Sequence, residues 1–72
     1  MRVFLDANIL FSGSLRGARI RDLLGILFER AECVTNGYAV EEARRNLELK
    51  FPEGLPQLEA LVGECELVPG KT

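Results

Sequence analysis

Val3-Phe4-Leu5 is an apolar run without polar alternation, and it leads straight into Asp6. Such a run predicts a strand buried on both faces, with Asp6 standing where it stops. Asn8 and a second apolar run, Ile9-Leu10-Phe11, precede Ser12. Residues 13–17, Gly-Ser-Leu-Arg-Gly, read as a loop by composition. Ile20, Leu23, Leu24, Leu27 and Phe28 then recur at spacings of three and four, which predicts a helix with one largely buried apolar face. Gly25 weakens that helix by about 1 kcal/mol relative to Ala, and is read as marking close packing on the sheet. Residues 31–35 predict a second strand. Asn36-Gly37 is a turn signal, and Thr35 or Asn36 is placed to cap a helix over residues 38–49. Val40, Ala43 and Leu47 form its inner face. Residues 51–54, Phe-Pro-Glu-Gly, break the chain. Leu55, Leu58, Leu61 and Val62 predict a short third helix, with Pro56 tolerated in its first turn. A third strand over residues 64–68 ends at Pro69-Gly70.

The order is β-α-β-α-α-β. That alternation predicts an α/β domain with a parallel sheet and right-handed crossovers. Val3, Leu5, Val34 and Leu67 are the expected buried strand positions.

The chain has 72 residues, which predicts a single domain over 1–72. A domain of this size buries only about 60% of its unfolded surface and is marginal alone. An apolar content of 47% predicts a packed core rather than disorder. The net charge of −2 argues against a general nucleic-acid coat protein. The chain has no histidine, which removes imidazole bases and most zinc sites. Cys33 and Cys65 are far apart in sequence and match no metal spacing. They read as buried thiols in a reducing compartment. Asp6 interrupts the only apolar stretch near the start, so no signal peptide is visible, and no run approaches a membrane span. A cytoplasmic protein without a membrane is expected.

The candidate chemistry begins at Asp6. Open parallel sheets bind ligands beyond the C-terminal ends of their strands, and a carboxylate there is placed for metal or nucleophilic work. The plain alternative is a turn cap, because Asp and Asn bond local backbone groups. Glu41 and Glu42 open the helix after strand two. They read either as dipole-complementing residues or as the second acid of a pair, since parallel strands bring both acids to one sheet edge. Arg44 and Arg45 are within helical reach of them. Carboxylates converging without His or Cys suit a hard cation such as Mg²⁺ or Mn²⁺. Arg16, Arg19 and Arg21 crowd the start of a helix, the unfavourable end for cations. They read as a solvated face or as a guide for phosphates.

Val3-Phe4-Leu5-Asp6-Ala7-Asn8-Ile9-Leu10-Phe11-Ser12-Gly13, followed by Thr35-Asn36-Gly37-Tyr38-Ala39-Val40-Glu41-Glu42-Ala43-Arg44-Arg45-Asn46-Leu47, resembles the PIN domain family. Cys65-Glu66-Leu67-Val68-Pro69 is similar to its third strand. The resemblance implies a metal-dependent ribonuclease, of a family with many toxins of toxin–antitoxin pairs. It implies sheet order 3-2-1 with flanking helices, RNA as substrate, and Mg²⁺ or Mn²⁺ as cofactor. By the same resemblance Asp6 is the first metal-binding and catalytic acid. Glu42, directly before Ala-Arg-Arg-Asn-Leu, is the second, with Glu41 as fallback. Asn8 and Ser12 match polar positions lining the site, and Arg16 and Arg19 are the candidate RNA-phosphate contacts. A haloacid-dehalogenase-like phosphatase would carry a second Asp two residues after the first, where this chain has Asn8.

The family's remaining acids stand on two further β-α units that these 72 residues do not include. The expectation is therefore a truncated half-site. It predicts weak or absent metal binding, no activity alone, and an antitoxin or complementing chain as partner. It also leaves the edge of strand one bare, which predicts homodimerisation along residues 3–5.

Overall fold

The computed structural model describes residues 1–15 and 19–69. In order, the elements are β1 (Arg2–Phe4), α1 (Ala7–Gly13), α2 (Arg19–Arg30), β2 (Glu32–Asn36), α3 (Gly37–Lys50), a single 3₁₀ turn (Pro52–Gly54), α4 (Leu55–Gly63) and β3 (Glu66–Val68). β2 lies between β1 and β3 and pairs parallel with both, Val3 level with Cys33 and Val34 level with Glu66. This is the expected α/β class, with the sheet order that the family resemblance implies.

Both crossovers step across the sheet in the same direction. Right-handed connections then lay the helices on one face. Burial follows that layout. Leu5 and Cys33 join the core, while Arg2, Phe4, Glu32 and Glu66 are exposed. The Arg2 guanidinium lies 3.6 Å from Glu32 and 3.8 Å from Glu66. The strand-one expectation is corrected here. Val3 is half-buried and Phe4 is 46% exposed, because a single helical layer covers the sheet among the described residues. The Cα envelope is only 16 Å thick, which suits two layers.

The core sits between α1, α3 and α4. Leu10, Ala43, Leu47 and Leu58 are fully enclosed, and the small Ala43 lets α1 approach α3. Val40, Ala43 and Leu47 are buried as expected, joined by Ala39. In α2 only Leu24 is fully buried. Ile20, Leu27 and Phe28 pack against the core edge, and Leu23 is exposed, contrary to expectation. Leu67 is also exposed, because β3 is the far edge of the sheet. Gly25 marks no close approach, since a Cβ there would meet nothing within 4 Å. The tight positions are Gly13, where a Cβ would come 2.6 Å from the end of the Leu24 side chain, and Gly54, where it would come 2.9 Å from the Ser14 carbonyl oxygen.

Helix α1 is absent from the hydrophobic pattern. Its buried positions are Leu10 and Gly13, with Ser14 packed directly behind. Two of these three are small, so no apolar stripe is visible. The Ser14 hydroxyl donates to the Leu10 carbonyl at 2.7 Å and is thereby satisfied in the core. No helix among the described residues is long and apolar enough to cross a membrane.

Candidate functional site

Parallel strands end at the same sheet edge, and here β1 and β2 each hand the chain to a helix through a side-chain cap. Asp6 Oδ1 accepts from the Ile9 N–H at 3.0 Å and starts α1. Asn36 Oδ1 accepts from the Ala39 N–H at 2.8 Å and starts α3. Between them Leu5, the residue just after β1, is pinned. The Leu5 N–H donates to the Val34 carbonyl, and the Thr35 hydroxyl donates to the Leu5 carbonyl, both at 2.8 Å. Asp6 therefore leaves the sheet beside the first turns of α3.

The result is an open cleft of about 340 Å³ lined by Phe4, Asp6, Asn8, Asn36, Tyr38 and Glu42, together with Ala7 and Ala39. Asp6, Asn8, Tyr38 and Glu42 are all exposed to solvent. Asp6 and Glu42 form no ion pair among the described residues. Glu41 behaves differently. It pairs with Arg44 at 2.9 Å, and Arg44 also reaches Glu59 at 3.8 Å. Glu41 lines a neighbouring depression with Arg45 and Asn46; Tyr38 and Glu42 border both that depression and the Asp6 cleft, and Glu41 does not reach the latter. Of the two candidate glutamates, Glu42 is the one that shares a cleft with Asp6.

No family model, curated protein or solved structure matches the chain. A functional reading must therefore come from the cleft itself. Its donors are hard oxygens. Asp6 keeps a second carboxylate oxygen beyond the one that caps α1, Glu42 offers two, and Asn8 an amide oxygen. Nowhere among the described residues do three or more His, Cys, Asp or Glu side chains converge. Two carboxylates and an amide oxygen are the donor types that a hard divalent ion takes, with water completing its shell. The set does not fit a closed cage or a two-metal centre.

The other sequence candidates fall elsewhere. Ser12 is half-buried and does not line the cleft. It stands nearly two turns along α1 from Asp6, roughly 9 Å at 1.5 Å per residue. Arg19 is exposed and is not part of the cleft wall. Arg16 lies outside the described residues. Arg21 is not a cation misplaced at a helix start. Its guanidinium donates to the Gly13 and Leu15 carbonyls. It thus serves the C-terminal end of α1, where positive charge is favourable. Tyr38 and Asn36 line the cleft without a site signal of their own in the sequence. The Asn36-Gly37 turn signal marked the neighbourhood, but nothing in the sequence states that this turn faces Asp6.

Proposed function

We propose that the chain supplies one acidic wall of a Mg²⁺- or Mn²⁺-dependent ribonuclease site of the PIN type, acting on RNA in the cytoplasm. The observation that carries this is the meeting of Asp6 and Glu42, distant in sequence, in one solvent-open cleft. Asp6 and Glu42 would hold the ion, with the Asp6 backbone fixed by its cap and by the Thr35 bond. Such an ion, when bound, activates water and neutralises phosphate charge. The Asn8 side chain has an amide N–H to offer a phosphate oxygen from the same wall.

Two carboxylates fix one hard ion loosely, and in-line attack needs water, ion and phosphate held together. We therefore read the described wall as a half-site, and these 72 residues by themselves as inactive on RNA. A non-catalytic interaction module is the second reading, favoured by the uncovered sheet face around Phe4. A second copy paired along the outer edge of β1, or an antitoxin-like partner, would cover apolar surface left open there.

Calorimetric titration with MnCl₂ separates these readings. The half-site gives weak saturable binding that Asp6→Asn and Glu42→Gln each remove and Glu41→Gln leaves intact. An interaction module gives no heat that depends on Asp6. Cleavage of RNA by the isolated chain, abolished in Asp6→Asn, would overturn the half-site reading.

A further inference from the structure

Cys33 and Cys65 are far apart in the sequence but not in the sheet. β2 and β3 run parallel with Val34 level with Glu66 and Thr35 level with Leu67. The residues just before the first of these pairs are Cys33 and Cys65. Neighbouring strands lie about 4.8 Å apart, inside the roughly 4.4–6.8 Å Cα separation that a disulfide spans. Residues level with each other on adjacent strands project to the same face. Here that face is the helical one, since Cys33 belongs to the core and Cys65 packs against it. Cys33 also contributes to the rise in the Cys65 pKa, as expected of a near neighbour. Both thiols are free. The expectation of two buried thiols holds for Cys33 and is corrected for Cys65, which is only half-buried.

We propose that Cys33 and Cys65 are a reversible oxidation site, forming an intrachain disulfide that staples β2 to β3 when a small-molecule disulfide is the oxidant. Cys65 is half-buried where Cys33 is buried, so Cys65 is the residue that meets the oxidant first. Its sulfur attacks one sulfur of the small disulfide, whose S–S bond breaks and releases one thiolate. The Cys33 sulfur then attacks Cys65 in the mixed disulfide, and the second small thiolate leaves. The two cysteine protons end on the two departing thiolates. The pair loses two electrons and the oxidant gains them.

Little is lost when Cys65 turns away from its present partner. Its thiol donates to the Leu61 carbonyl at 3.4 Å, but that carbonyl also accepts from the Glu64 N–H at 3.0 Å and stays satisfied. Much is constrained in exchange. β3 is a three-residue edge strand, and the bond would close a loop containing α3 and α4. Loop closure of that length restricts the unfolded chain strongly.

The test uses the full chain, purified reduced and then treated with oxidised glutathione. The expected product is a monomer lighter by two hydrogen atoms. Its tryptic map should join the peptides of residues 31–44 and 51–71, and dithiothreitol should restore the separate peptides. The oxidised chain should melt at least about 10 °C above the reduced one. Cys65→Ser, and Cys33→Ala where Cys33→Ser folds poorly, should lose the linked peptide and the shift. A glutathione adduct that stays on Cys65, a disulfide-linked dimer, or a linked monomer that melts no higher would each overturn the proposal.

Discussion

The Thr35 hydroxyl donates to the Leu5 carbonyl at 2.8 Å, across two strands and inside the core. The bond falls where the β1 ladder ends, one residue before Asp6. It satisfies a carbonyl that has left the sheet but not reached water. Thr35→Val keeps the shape and removes the donor, leaving a buried acceptor unpaired. The expected loss is about 1–3 kcal/mol in urea unfolding, with Thr35→Ser recovering most of it. Equal stability of Thr35→Val and wild type would mean that the bond does not hold the exit of β1.

Asp6 has two separable roles. As the cap of α1 its carboxylate accepts from the Ile9 N–H, and as a cleft residue it carries charge. Asn caps a helix about as well as Asp, whereas Ala does not. Asp6→Ala is expected to lower stability by about 1 kcal/mol while Asp6→Asn stays near wild type. Metal binding should be lost in both. Thermal melts beside Mn²⁺ titrations of the two variants check this.

Burial pushes the Cys65 thiol up to about 11, with Cys33 and Glu64 adding to the rise. The folded chain therefore keeps this proton at pH values where the unfolded chain has released it. The stability owed to the neutral thiol is complete below the unfolded value and falls as pH climbs from about 9 to 11. Other groups titrate in that window, so the quantity to measure is the difference between wild type and Cys65→Ala. That difference should shrink steadily across it. A pH-independent difference would contradict the burial of the thiol.

Phe4 stands on the outer strand with 46% of its surface exposed. Pairing of two copies along β1 about a two-fold axis would run the strands antiparallel and set the two Asp6 residues at opposite ends of the joint. Such a dimer covers apolar surface without completing either cleft. Light scattering should give a dimer at high concentration and a monomer for Phe4→Lys. A wild-type monomer throughout, or an unchanged mass in Phe4→Lys, would remove this pairing.

The sheet was legible because β2 and β3 are bounded by turn residues and α3 carries a clean apolar stripe at Val40, Ala43 and Leu47. The α1 helix was not, because its packing face is Leu10, Gly13 and Ser14, and small residues leave no hydrophobic signal. The exposure of Leu23 and Leu67 was hidden for another reason. Periodicity identifies which residues share a face, but not whether a second layer covers it. At the cleft, Asp6 and Glu42 could be placed at one sheet edge by topology alone. Glu41 is set apart by its absence from the Asp6 cleft and by its pairing with Arg44, which topology does not encode. The nearness of Cys33 and Cys65 depends on strand register, which neither spacing nor composition encodes.

The most direct test of the cleft as a cation site is paramagnetic broadening of amide NMR signals by trace Mn²⁺. The amides of Asp6, Ala7, Asn8, Ala39 and Glu42 should fade first, with Mg²⁺ competing the effect away and Asp6→Asn abolishing it. Broadening spread evenly over the acidic surface, or centred on Glu53 and Glu59, would contradict a metal site between Asp6 and Glu42.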